Sequence, residues 1–451
     1  MCGIPSAWKS IYMVGIGGIG MSALARYFRE CGCMVAGYDR TPSPLTRQLE
    51  QEGISVCYDE DPALLPERTD LLVYTPAVPS DHAQLVRLRE MGVPCMKRAE
   101  VLGLISRDLC TVALAGTHGK TSMSALTTLL LRGDEPLTAF IGGIAANFQS
   151  NLVYETGARR MVVEADEFDR SFLQLHPDVA VISSMDADHL DIYHTVGALR
   201  EAFDAFSQQI KPGGCLITKP ELTKYLHPSV PVLTYSLHDA SADFRVEGLK
   251  IADGCSRFDV RTPDGVLHDL LLPTAGLYNV ENALAAVAVA CRFCLPEVKI
   301  RERLAQYKGV KRRFEYIIRK PDRVYVDDYA HHPKELEACI ASARRWYPQR
   351  RICGVFQPHL YTRTRDFADE FADALSQLDT VVLLDIYPAR EAPIPGVSSQ
   401  LIFDRIHSKE KYCCTKEQLL PLLEKLDPEV LLTMGAGDID RLVDKIKTLL
   451  S

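Results

Sequence analysis

Apolar residues fall in short runs, and amphipathic stretches separate them along most of the chain. Runs at 10–14, 34–38, 71–75, 111–115, 161–163 and 179–182 read as buried strands. Helical spacing predicts helices over 21–30, 84–91, 123–131 and 198–209. From about residue 230 to 272 the pattern turns β-like, with a turn at Thr262-Pro263-Asp264-Gly265. An Ala-rich helix ending at Cys294 and another over 299–306 follow. Strands at 324–326, 351–356, 380–384 and 430–433 then alternate with helices at 335–345 and 366–376. This alternation predicts an α/β fold of doubly wound sheets. The length, 451 residues, suggests about three domains. The pattern divides at 1–107, 108–311 and 312–451.

Polar chemistry gathers where the strands end. The first strand runs into Gly15-Ile16-Gly17-Gly18-Ile19-Gly20, and the second ends at Asp39. This fingerprint is compatible with NAD, another nucleotide diphosphate, or helix–strand packing alone. The strand at 111–115 breaks into Gly116-Thr117-His118-Gly119-Lys120-Thr121-Ser122 before a helix. Loop N–H groups and a helix N-terminus attract phosphate oxygens, Lys supplies a full charge, and Thr suits a magnesium ion. Leu114 stands where the common phosphate loop has its first Gly, so this is a shortened variant.

The next strand ends in Glu164, Asp166, Glu167 and Asp169, and the one after in Asp186, Asp188, His189 and Asp191. Carboxylates so placed call for a cation or basic partner. Asn279 and Asn282 open the Ala-rich helix, as caps or as amide partners for a base. In the last third, strand ends carry Asp327, Asp328, Tyr329, His331, His359, Arg363 and Glu391, a set suited to anions.

Composition narrows the function classes. The chain is 47% hydrophobic and 24% charged, with net charge −8. There is no electrostatic case for nucleic acid or an anionic membrane. No apolar run reaches the ~18 residues that span a bilayer, so membrane insertion is not expected. The first residues lack the order of a signal peptide. The 14 cysteines read as reduced thiols, and Cys291 and Cys294 as core-facing.

Nine motifs then carry a resemblance. GTHGKTS (116–122), EADEFDRSF (164–172), DADHLD (186–191), GLYNVEN (276–282), RRFE (312–315), DDYAHHP (327–333), FQPHLYTRT (356–364), YPARE with PIPGVSS (387–399) and MGAGDI (434–439) run in order. In them the chain resembles the Mur ligase family, nearest its alanine-adding branch. The resemblance implies a Rossmann-like UDP-sugar domain, a central P-loop-type ATPase domain with a parallel sheet, and a Rossmann-like C-terminal domain. It implies an ATP-dependent amide-bond ligase of peptidoglycan synthesis acting on UDP-N-acetylmuramate and L-alanine through an acyl phosphate. A bacterial cytoplasmic location and a monomer or weak homodimer are also implied.

The same resemblance assigns residues. Gly15, Gly17, Gly18 and Gly20 would hold the uridine diphosphate, with Asp39 near it and Asn147 touching the sugar. The loop Gly116 to Ser122 would cradle ATP, with Lys120 on the transferred phosphate. Thr121, Glu164 and His189 would ligate Mg2+, with Mn2+ as an alternative ion. Asn279 and Asn282 would meet adenine; Arg313 and Asp328 would hold ATP phosphate or ribose. Tyr329, His331, His359 and Arg363 would face the amino acid and acyl phosphate. Domain closure is expected. Tyr278 replaces a frequent His, Leu360 replaces an Arg of some relatives, and residues 192–210 hold no Lys for carbamylation. Two other readings stand beside this one: a murein-tripeptide-recycling ligase of the same family, and an NAD(P)-dependent dehydrogenase argued from residues 15–39 alone.

Overall fold

Alternate residues of the first strand, β1 (Ser10–Val14), point to opposite faces, and both faces are apolar. Ile11 and Met13 pack with Met21, Leu24 and Phe28 of the helix Ile19–Glu30. Tyr12 and Val14 pack with Leu85 and Leu88 of the helix Ala83–Glu90. A strand buried on both faces requires helices on both sides, which is the doubly wound arrangement. With β2 (Met34–Tyr38), β3 (Ser55–Cys57), β4 (Leu71–Tyr74) and β5 (Cys95–Lys97), it forms a parallel sheet in the order β3-β2-β1-β4-β5. The computed structural model that gives this fold describes Pro5 and residues 7–186, 190–193, 195–252, 254–274, 276–389 and 391–451.

The second sheet is built around β6 (Cys110–Ala115), flanked by β9 (Arg160–Glu164) and β10 (Val179–Ile182). Beyond β9 lie β7 (Leu137–Ala145) and the antiparallel edge β8 (Ser150–Tyr154). Beyond β10 come β11 (Cys215–Thr218) and β12 (Val232–Ser236), then the antiparallel hairpins of β13 (Phe244–Ala252), β14 (Cys255–Thr262) and β15 (Gly265–Leu272). The parallel core thus carries an antiparallel extension, and the expected turn at Thr262–Gly265 closes its last hairpin.

Residues 140–144, which include Gly142 and Gly143, lie within β7, whose pairing with β8 breaks register between Phe140 and Ala145. Two expectations change here. The Ala-rich helix stops at Arg292. Cys294 is exposed at φ +54, so it is not core-facing. Among the described residues twelve cysteines are free thiols.

The first two sheets belong to one compact unit that ends at Gly309. A buried polar network explains why. Arg26, 4% exposed, donates to Glu52 Oε2 at 2.8 Å and also to Asn151 of β8. Asn151 returns its amide to Ile19 O at 2.6 Å and Ser22 Oγ at 2.9 Å. Tyr27 packs its ring on Phe140 and Tyr154 beside it. Lys211 joins Ser106 O, Leu109 O and Asp178, closing the helix Arg98–Asp108 against the second sheet.

Val310–Ser451 forms the second unit. Its sheet has the order β16-β17-β21-β18-β19-β20. The strands are β16 (Glu315–Arg319), β17 (Val324–Asp328), β18 (Ile352–Phe356), β19 (Thr380–Leu383), β20 (Glu410–Cys413) and β21 (Val430–Met434). Only β16 pairs antiparallel; the other described pairings are parallel. The helix expected over 366–376 spans Ala368–Leu375, and a separate short helix, Tyr361–Asp366, precedes it. No helix among the described residues is long and apolar enough to cross a membrane.

Candidate active site

In the first sheet, β1 ends at Gly15, whose φ of +84 and closeness to Thr75 exclude a side chain. Gly15 and Ile16 donate N–H groups to Tyr38 O at 2.8 and 3.0 Å. Gly17 N–H donates to Asp39 Oδ2 at 2.7 Å, so Asp39 fixes the loop itself. Helix Ile19–Glu30 starts at Gly18 with no side-chain cap and no acid in its first turn, leaving an N-terminus that favours an anion. A Cβ on Gly20 would lie 2.8 Å from Arg98 Nη1, which brings a guanidinium to that end. The residues alone did not single out Arg98; its only signal was a basic pair at the start of a helix.

The second sheet delivers its chemistry at the ends of β6, β9 and β10. Gly116 and Gly119 hold φ of +132 and +84, and the helix Lys120–Leu131 follows directly. The loop is strapped to the residues after β10. Thr117 Oγ1 donates to Ser184 Oγ at 2.9 Å, as does His118 N–H at 2.9 Å, and Ser183 Oγ donates to His118 O at 2.7 Å. His118 Nε2 lies 3.3 Å from Asp186 Oδ2.

Lys120 Nζ sits 2.8 Å from Gly116 O and 2.9 and 2.8 Å from the two oxygens of Glu167. Burial works against the ammonium charge, but Glu167, Asp166 and Glu164 outweigh it and raise the lysine's proton affinity. Burial raises the Glu167 pKa, against the pull of Lys120. Glu167 was not distinguished within its run of four carboxylates.

Glu164 accepts from Gly142 N–H at 2.9 Å. Thr121 lies buried in the first helical turn. His189 lies outside the described residues. Asn282 packs on the loop, its Oδ1 2.4 Å from where a Gly119 Cβ would be. Asn279 is buried on the same helix. Ser122 meets the buried Tyr307 hydroxyl. Asn147 is used locally: it donates to Gln306 O at 2.7 Å and accepts from Lys308 N–H at 2.8 Å.

In the second unit, Tyr329, His331 and His359 form an aromatic group, with ring centroids 5.2 and 5.9 Å apart along the series. His359 also stacks on Tyr387. His331 Nδ1 is 3.0 Å from Tyr329 O and 3.2 Å from Glu335 Oε2, an arrangement that places the proton on Nδ1 and the lone pair on Nε2. Burial lowers the His331 pKa despite Glu335.

Arg363 lies on the helix Tyr361–Asp366, near enough for its charge to weigh on His331. Arg313 stands 5.4 Å from the Tyr329 ring centre. Asp328 accepts from Phe314 and Ala330 N–H groups, each at 2.7 Å, so it pins the backbone beside Arg313. Burial pushes the Asp328 carboxyl up to about 6.

With this geometry in view, three stretches match families. Residues 10–109 match the Mur ligase family catalytic domain, 114–290 the Mur ligase middle domain, and 312–437 the Mur ligase glutamate ligase domain. The chain is 48% identical over 451 residues to a UDP-N-acetylmuramate–L-alanine ligase of Porphyromonas gingivalis, covering 97% of this chain and 98% of the relative. It is 46% identical to the protein of that name from Parabacteroides distasonis, covering 98% and 97%. The crystal structure of a UDP-N-acetylmuramate-alanine ligase from Thermotoga maritima is similar, with TM-score 0.82 and 29% identity, covering 98% of this chain and 99% of that one.

Proposed function

The chain belongs to the Mur ligase family, and from that premise we propose that it joins L-alanine to the lactoyl carboxylate of UDP-N-acetylmuramate with ATP. The observation that carries the reading is Lys120, held in a glycine loop with Glu164, Asp166 and Glu167 acting on it. Adjacent parallel strands bring these groups to one sheet edge, where open α/β sheets bind ligands.

A carboxylate is a poor electrophile, so phosphorylation must supply a leaving group. A lactoyl oxygen bonds to the γ-phosphorus as the bond to ADP breaks. The alanine amine then bonds to the acyl carbon, and inorganic phosphate leaves. The protein's part is positioning and charge neutralisation. Lys120 neutralises charge on the phosphoryl group, and the Gly116–Ser122 backbone cradles the polyphosphate. Gly15–Gly20 and the adjoining helix N-terminus take the uridine diphosphate, with Arg98 beside them. Asn279 and Asn282 are assigned to the adenine.

The donor set fits a hard cation. Glu164 and the Thr121 hydroxyl are oxygen ligands, and one Glu164 oxygen is already oriented by Gly142 N–H. Thr121, Glu164 and His189 are the residues assigned to hold Mg2+, which would supply charge neutralisation at the phosphates. In the second unit, His331 is half-buried, its charged form is disfavoured by desolvation, and with Nε2 as its open acceptor it is assigned the amine proton. Arg363 is assigned the amino acid carboxylate, with Tyr329 and His359 forming the surrounding wall. Domain boundaries near 107 and 311 follow from this assignment.

Phosphate release tests the reading. It is expected with ATP, UDP-N-acetylmuramate and L-alanine together, and not when murein tripeptide replaces L-alanine. Preference for the tripeptide would favour the recycling ligase, and tight NADH binding without ATP dependence would favour the dehydrogenase.

A further inference from the structure

We propose that Glu167 is a latch on Lys120, competing with nucleotide phosphate for the ammonium group and released when nucleotide binds. A lysine ammonium has three N–H donors and no acceptor. All three are spent in this structure: one on Gly116 O at 2.8 Å and two on the Glu167 carboxylate at 2.8 and 2.9 Å. A phosphate oxygen can gain a hydrogen bond from Lys120 only if one of these partners lets go. Gly116 O belongs to the loop after β6, which hydrogen bonds with Ser183 and Ser184 tie to the end of β10. Glu167 is the partner that can move, because it stands on an irregular segment.

That segment is strained. Asp169 and Arg170 follow Glu167 closely and sit at φ +52 and +54, consecutive left-handed positions with no glycine. Besides the turn's own backbone bonds, such as Arg170 N–H to Glu167 O at 2.9 Å, side chains from other elements hold it in place. The Tyr193 hydroxyl donates to Glu167 O at 2.6 Å from a buried position, and Lys97 Nζ pairs with Asp169 Oδ2 at 3.2 Å. The carboxylate itself is fully buried, so water does not screen its hold on the lysine. Swinging the turn lets its backbone relax and frees two ammonium protons for an incoming phosphate.

The inference rests on reading Lys120 as the lysine that contacts phosphate, and the experiment separates the two. Binding of magnesium adenylyl imidodiphosphate to the full chain is measured by calorimetry for wild type, Glu167→Gln and Lys120→Met. Gln keeps the shape and one acceptor but removes the competing charge. The latch predicts that Glu167→Gln binds the analogue about fivefold more tightly, while Lys120→Met binds it at least about tenfold more weakly. If Lys120→Met weakens binding but Glu167→Gln leaves it unchanged or weaker, the latch is wrong and the reading of Lys120 stands. If Lys120→Met binds like wild type, the reading of Lys120 is itself wrong, and the latch with it. Should Glu167→Gln fail to fold, Tyr193→Phe, which loosens the Glu167 backbone, is expected to tighten binding about twofold. No tightening in Tyr193→Phe overturns the latch.

Discussion

Gly142→Ala tests the metal-side assignment through a residue that carries no functional group. Gly142 is not among the glycines at positive φ, so its backbone accepts alanine. The added Cβ, however, would lie 2.2 Å from Glu164 Oε2 and 2.4 Å from both Cδ and Oε1. Ordinary contact begins near 3.4 Å, so the carboxylate must retreat by about 1 Å. That retreat breaks the 2.9 Å bond from Gly142 N–H. A hydrogen bond to a charged group is worth about 1.5–3 kcal/mol. Displacing a reacting group by about 1 Å costs roughly 10²-fold in rate.

The assay is phosphate release at saturating substrates across a magnesium titration, with thermal unfolding in parallel. Turnover is expected to fall about 10²-fold. The magnesium requirement should shift upward and the unfolding midpoint should change little. An alanine variant with wild-type turnover and magnesium response would show that the position of Glu164 does not matter to the reaction.

Other outcomes follow from the same contacts. Lys120→Met is expected to abolish turnover and also to destabilise the protein by about 3 kcal/mol in urea unfolding, because it leaves Glu167 buried without its cation. Asn151→Ala and Arg26→Ala should each cost about 2 kcal/mol, and a double-mutant cycle should find them coupled because they share one buried network. His331 contributes a pH dependence of definite sign. Its folded pKa lies below the ordinary 6.5, so on acidification the unfolded chain takes up a proton before the folded chain does. Stability is therefore lost as pH falls below about 6.5, and the difference in unfolding free energy between about pH 7.5 and 5.5 should shrink in His331→Gln.

Much of this arrangement is legible from residues alone because strands, turns and loops obey short-range rules. The apolar runs at 10–14, 34–38 and 179–182 are strands at those residues; the first and last are buried on both faces, and the second is buried at Gly37 and Tyr38. The glycine loops were recognisable by their breaks after apolar strands. Roles within EADEFD were not, because four carboxylates in six residues look alike until packing separates them. Glu164 turns toward Gly142, Glu167 toward Lys120, and Asp169 toward Lys97.

Long-range partners were equally hidden. The amide of Asn147 is used by residues 159 and 161 positions away, so its assigned contact with the sugar has a structural competitor. Asp328 grips two backbone N–H groups, a use that its place at the end of a strand did not reveal. The joining of the first two sheets depends on Arg26, a buried charge on the helix, whose partner lies 125 residues on.

The central claim is that the substrate's carboxylate is activated by phosphoryl transfer from ATP. UDP-N-acetylmuramate carrying 18O in both lactoyl carboxylate oxygens tests it directly. The protein is supplied with this substrate, ATP and L-alanine, and the released phosphate and the amide product are examined by mass spectrometry. The account predicts one 18O atom in each phosphate released and one in the new amide. Amide formed with no 18O in the phosphate, the displaced oxygen leaving in AMP or water instead, would contradict it.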